Sequence, residues 1–347
     1  MTLITALCNT VRYAAQRGTA DKRKVSAAAA KLLRFAVEID SLEVARVLVP
    51  QYEDAHTTSG EPPLVVTACA FGHLEIAKFL VEHGAIVDTG GVQVSPLHAA
   101  CAGGHLDVVQ WLVADRKVNL SAPDAHGKTP LVVAIENGFL RIFQYLLFMG
   151  AAVSANGGDD VYVMCAYLGN LGMVQHFLEL ALTEVAYSGC QVHLLKGAVH
   201  GEHAEITEYI LQHDGGKISR ADMNDSLCIA AKSEDPDVAE VLLNHNADVD
   251  HLSLQDATPI YRAVTYGNLK TVELLLKRGA NVTRHVSFQL ESALYEMAKH
   301  GRVDMLQLVH KLRGDKVDFG ARGDRIKHAP LHAAAAYGHT EVARFLL

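Results

Sequence analysis

A chain of 347 residues is long for one compact core, and a composition that is 50% hydrophobic but only 6% aromatic suits closely packed short helices better than a single globular core. The formal net charge of −8 is unevenly spread: residues 35–298 carry fifteen Lys/Arg against thirty-three Asp/Glu, a balance of −18 that repels a phosphate backbone and argues against nucleic acid as the partner. No run of eighteen apolar residues occurs, so no membrane-inserted helix is expected.

Residues 1–26 place Leu3, Leu7, Val11 and Ala14 on one helical face, which predicts an N-terminal capping helix. This segment has no basic leader, and Asn9 and Arg12 interrupt it before a signal-peptide core could form, so an intracellular, cytoplasmic protein is the expectation. The triplet Lys22-Arg23-Lys24 reads as a solvated helix face rather than an import or nucleic-acid signal. Six cysteines are scattered without a C-x-x-C pair and are expected to be reduced, packed side chains.

From residue 27 onward the chain repeats itself. A pivotal glycine recurs at 72, 104, 138, 169, 267, 301 and 338, with Asp40, Glu202 and Glu234 in the same slot, and the spacings run from 31 to 37 residues. Within a unit, Ser95-Pro96, Thr129-Pro130 and Thr258-Pro259 each announce a helix start, the hydroxyl accepting a backbone N–H and the proline sitting where its missing N–H costs nothing. Leu97, Leu131, Ile260 and Leu331 should face the core, and Ala100, Ala134, Ala263 and Ala334 should let neighbouring helices approach. The glycine then ends the first helix in a left-handed conformation, and Leu106, Val109 and Leu112 begin the apolar stripe of a second one. The units around Glu202 and Glu234 lack Pro-Leu-His and are expected to fold with altered turns. The last unit stops inside its second helix at Leu347, which predicts that the natural protein continues.

The segments Ser95-Pro96-Leu97-His98-Ala99-Ala100 with Gly104-His105-Leu106, Asp124-Ala125-His126-Gly127-Lys128-Thr129-Pro130-Leu131, and Ala329-Pro330-Leu331-His332-Ala333-Ala334 with Gly338-His339 resemble the ankyrin repeat family. The resemblance covers residues 27–347 as about ten units. It implies an all-α solenoid of stacked helix-turn-helix units joined by β-hairpin-like loops, and a protein partner docked in a concave groove. The expected function is therefore an intracellular protein-interaction scaffold, monomeric, without a cofactor or catalysis of its own; the rival expectation is the targeting arm of a larger enzyme or membrane protein.

Chemistry-bearing motifs do not accumulate. Five of the nineteen histidines fall in two repeat slots, His98 and His332 after Pro-Leu and His73, His105 and His339 after the turn glycine, where a ring can bond a hydroxyl or a neighbouring backbone. His193, His200 and His203 with Glu202 lack the i, i+4 spacing of a zinc-protease motif, so no metal site is expected. Gly127-Lys128-Thr129 imitates a phosphate loop, but Ala122 stands where its first glycine belongs and Pro130 follows. The partner-binding expectation rests on side chains beside the turn glycine, Phe71, Tyr167, Tyr266 and Tyr337, because exposed rings supply contact area at low entropic cost. Hairpin-tip residues His126 and Phe288 join them, with Asn156, Gln255 and Arg325 as secondary positions.

Overall fold

The computed structural model describes residues 22–49, 62–87, 94–153, 161–183, 189–253, 256–286, 291–319 and 329–347. Among them the chain forms twenty α-helices in ten consecutive pairs. The first four pairs are α1 (Lys22–Glu38) with α2 (Leu42–Leu48), α3 (Leu64–Phe71) with α4 (Leu74–Glu82), α5 (Pro96–Gly103) with α6 (Leu106–Ala114), and α7 (Pro130–Glu136) with α8 (Leu140–Phe148). The next three are α9 (Val161–Tyr167) with α10 (Leu171–Thr183), α11 (Cys190–His200) with α12 (Ala204–Gln212), and α13 (Arg220–Ala230) with α14 (Asp237–Asn244). The last three are α15 (Pro259–Tyr266) with α16 (Leu269–Lys277), α17 (Ala293–Lys299) with α18 (Val303–Arg313), and α19 (Pro330–Ala336) with α20 (Thr340–Leu346). The strands among the described residues are one short antiparallel ladder before α17, β1 (His285–Val286) on β2 (Glu291–Ser292), with His285 opposite Ser292.

Two compact units divide the chain, Met1–Val161 and Tyr162–Leu347. In the first, α1, α3, α5 and α7 pack one on the next; in the second, α11, α13, α15, α17 and α19 do the same. The expected capping helix over residues 1–26 lies outside the described residues as far as position 21, and α1 starts at Lys22 and crosses that boundary without a break.

Helix starts follow the expected chemistry. Ser95, Thr129 and Thr258 each adopt an extended backbone and accept the N–H three residues on, from His98, Val132 and Tyr261, with proline in the first turn. Each such cap contributes about 1 kcal/mol. Behind the caps Leu97, Leu131 and Ile260 are buried, as are Ala100, Ala134, Ala263 and Ala334. Second helices bury one stripe, such as Val108, Val109 and Leu112 on α6, because only one face meets the first helices.

First helices end in the left-handed region, at Gly72 and Gly104 with φ of +79°. Asp40 (φ 56°) and Glu202 (φ 60°) take that conformation without being glycine, so the unit around Glu202 keeps the regular turn against expectation. Glu234 does not adopt a positive φ. There α13 stops at Ala230 and residues 231–236 form a longer turn that delivers Pro236 as the cap of α14. The altered turn is thus present at one of the two irregular units.

Candidate functional site

The last carbonyls of a helix have no partner inside it. Here the residue after the next turn glycine supplies one. His105 donates from Nε2 to the carbonyl of Ala70 at 3.0 Å, His203 to that of Tyr167 at 2.9 Å and His339 to that of Lys299 at 2.9 Å. Asn268 does the same from Nδ2 to Ala231 at 3.2 Å. These bonds fix the C-terminal ends of α3, α9, α13 and α17 against the following pair, and with them the side chains at those ends.

The other recurrent histidine works at the opposite end of the first helix. Buried His98 donates from Nε2 to the Lys128 carbonyl at 2.9 Å, leaving Nδ1 to accept from the Ser95 hydroxyl at 2.7 Å. Burial holds this imidazole below its usual pKa of 6.5, although the Lys128 carbonyl, Asp124 and the Ala122 carbonyl pull the other way. His332 occupies the same slot but is exposed, and Ala329 offers it no hydroxyl, so the role expected from the motif is not seen there.

Four of the residues singled out in the sequence are exposed rings beside the turn. Phe71 is 53% exposed, Tyr167 53%, Tyr266 57% and Tyr337 56%. In the first unit Phe71 stacks on His73, with ring centroids 5.9 Å apart, and Phe35 and Ile39 on α1 and its turn are also exposed. Sequence reading missed that pair, although Ile39 precedes Asp40 as Phe71 precedes Gly72. In the second unit Leu168 is exposed beside Tyr167, and the Lys232 ammonium lies 6.0 Å from the Tyr266 ring centroid.

His126 sits exposed at a hairpin tip, its N–H donated to Asp124 Oδ1 at 2.8 Å while the Lys128 N–H reaches the same oxygen at 2.9 Å. Partial burial pushes the Asp124 pKa up, and these two donations outweigh it and bring the carboxyl below its ordinary value. Phe288, like Asn156, Gln255 and Arg325, lies outside the described residues.

One polar cluster was not foreseen. Glu296, only 2% exposed on α17, accepts from the Tyr261 hydroxyl of the preceding repeat at 3.0 Å and from Lys299 at 2.8 Å, while His300 lies 3.0 Å from its other oxygen. Its signal was a carboxylate inside an otherwise apolar helix, with partners three and four residues on. The third partner, thirty-five residues away, had no local signature.

Among the described residues the cysteine thiols are buried. Burial pushes the thiols of Cys69 and Cys101 up to about 12, far from thiolate chemistry at neutral pH. His200 is turned onto the Lys196 carbonyl and His203 onto the preceding repeat. Among the described residues no group of three or more His, Cys, Asp or Glu side chains is placed to hold a metal ion, and no helix is long and apolar enough to cross a membrane.

The family profile described as ankyrin repeats (3 copies) matches residues 33–123, 86–157 and 194–286, and that for a single ankyrin repeat matches 327–347. The chain belongs to the ankyrin repeat family. Ankyrin repeats are protein–protein interaction modules, and first helices of this chain display exposed rings at their ends. The ankyrin repeat and KH domain-containing protein mask-1 of Caenorhabditis elegans is 28% identical over 56% of this chain and 7% of its own length. The transient receptor potential cation channel subfamily A member 1 homolog of the same organism is 25% identical over 67% of this chain and 16% of its own length. Human ankyrin repeat and SOCS box protein 11 is 36% identical over 27% of this chain and 28% of its own length. The chain therefore spans a minor part of each of these relatives.

Proposed function

We propose that this ankyrin array is an interaction scaffold that captures a protein partner on the exposed ends of its first helices, through Phe71 in the first unit and Tyr167, Tyr266 and Tyr337 in the second. One observation carries the reading: at four turns an aromatic side chain stays more than half exposed, although the repeat offers an apolar interior to bury it. Solvent-facing rings on a rigid backbone lose little entropy on binding, and such anchors dominate interface energetics. The cross-repeat bonds from His203, Asn268 and His339 hold the helix ends that carry or neighbour these rings. His126 and Phe288 would extend the contact along the hairpin tips.

Affinity capture with the full chain tests this. Tyr266→Ala is expected to weaken partner capture by about 2 kcal/mol while changing stability by no more than about 0.5 kcal/mol. A large stability loss with unchanged capture would assign the ring to packing and defeat the reading.

A second reading is favoured by the relatives' lengths. Because the chain matches only 7% to 28% of the relatives named above, among them one named as a cation channel, the array also fits the role of a targeting arm within a larger protein. The complete reading frame decides between an arm and a free-standing scaffold.

A further inference from the structure

The charge on the first-helix face of the second unit differs from that of the unit as a whole. Among the described residues, α9, α11, α13, α15, α17 and α19 carry three carboxylates, and each is committed. Asp222 closes a capping box with Ser219, Asp225 pairs with His251 at 3.2 Å, and Glu296 is buried against Lys299 and His300. Lys196 and Lys232, by contrast, are exposed and make no ion pair among the described residues. His200, one turn beyond Lys196 on the same helix face, occupies the slot that Lys232 takes in the following repeat. Other acidic groups of this unit sit on second helices, Glu205 and Glu208 on α12 and Asp237 and Glu240 on α14, or in the turns after first helices, where Glu202, Glu234 and Asp235 are exposed.

Helix C-termini carry partial negative charge that would oppose an anion. In this unit the carbonyls of Tyr167, Ala231 and Lys299 already accept from His203, Asn268 and His339, which meets that charge. The Lys232 ammonium rests over Tyr266 with its outer side open to solvent. Tyr167 and Leu168 are exposed on the repeat before Lys196.

We infer that this face takes an extended acidic segment of a partner protein, with carboxylates at Lys196 and Lys232 and apolar side chains on Tyr167, Leu168 and Tyr266. The inference rests on the protein-binding reading above and supplies the partner's chemistry. It reverses what net charge alone suggests, since an acidic chain would be matched with a basic ligand. Packed helices stand about 10 Å apart, Lys196 lies one helical turn of about 5.4 Å from the slot that Lys232 fills, and an extended chain advances about 3.3 Å per residue, so acidic residues three to four apart reach both lysines. Glu234 and Asp235, exposed in the turn after Lys232, weaken the site, and neutralising them strengthens it.

Fluorescence anisotropy with the full chain tests the proposal, using a labelled peptide of repeated Glu-Ser-Leu triplets and its Lys-Ser-Leu counterpart. The acidic peptide should bind and the basic one should not. Lys196→Glu with Lys232→Glu should weaken acidic-peptide binding about tenfold or more, and Lys270→Glu on α16, an exposed position on a second helix, should leave it unchanged. Raising salt from about 0.05 M to about 0.5 M should weaken it as well. Absence of binding, equal binding of both peptides, or indifference to the two charge reversals would overturn the proposal. If the reversals leave capture of the natural partner intact while Tyr266→Ala abolishes it, the acidic partner is excluded and the scaffold reading stands; if neither changes capture, that reading fails too.

Discussion

The imidazole of His105 lies directly against Gly72, the turn glycine of the preceding repeat, while its Nε2 bonds the carbonyl of Ala70. Phe139 covers Gly104, Arg302 covers Gly267 and His339 covers Gly301 in the same way, so the side chain varies while the relationship persists. At Gly72, Gly104 and Gly301 the glycine is therefore required twice, once by its positive φ and once by the ring that would meet a β-carbon, whereas the end of the flexible Arg302 side chain can swing away from Gly267.

Gly72→Ala and Gly84→Ala separate those two requirements, because both glycines have positive φ (79° and 98°) but only Gly72 is covered. Gly84→Ala should cost about 1 kcal/mol from backbone strain alone. Gly72→Ala should cost about 2 kcal/mol more, and a double-mutant cycle with His105→Ala should show coupling between the two positions. Equal costs in urea unfolding would mean that the ring yields freely.

The non-glycine turns give the opposite test. Glu202→Gly should stabilise the protein by about 1 kcal/mol, since φ there is already positive. Glu234→Gly should instead cost about 0.5 kcal/mol, because its backbone needs no such freedom. Thermal midpoints that moved alike in both variants would contradict the assigned turn geometries.

Protonation should act through His98. Burial lowers its folded-state pKa below the ordinary 6.5, so as pH falls the unfolded chain takes up this proton first. Stability from this group is complete above about pH 6.5 and declines from there down to the lowered folded value. His98→Gln, which keeps a donor for Lys128, should flatten the fall in urea midpoint across that window; an unchanged slope would remove His98 as its source.

Glu296→Ala should destabilise by about 3 kcal/mol, because it leaves Lys299 and Tyr261 facing a cavity in place of a buried carboxylate. Chemical denaturation of the full chain measures this directly. A change below about 1 kcal/mol would show that the cluster behaves as a surface ion pair.

What the sequence revealed and what it concealed follow from the range of each interaction. Caps such as Thr129-Pro130 are local, and spacing alone placed the turn slot at Asp40, whereas the altered turn expected at Glu202 is not seen because that residue takes the left-handed conformation without being glycine. The altered turn expected at Glu234 is present, where the same count of residues leads into a longer turn. The same Pro-Leu-His motif carries a buried ring at His98, bonded to the Ser95 hydroxyl and the Lys128 carbonyl of the following repeat, and an exposed one at His332, where Ala329 offers no hydroxyl. The committed carboxylates of the second unit were invisible for a related reason: two of them owe their state to Tyr261 or His251, each a repeat or most of one away.

Site-specific photo-crosslinking tests the central claim most directly. With a photoreactive phenylalanine analogue replacing Tyr266 in the full chain, irradiation in extract should covalently trap a partner, whereas the same analogue at exposed Lys270 on α16 should trap none above background. Trapping from position 270 with none from 266 would place the partner on the second helices and contradict the account.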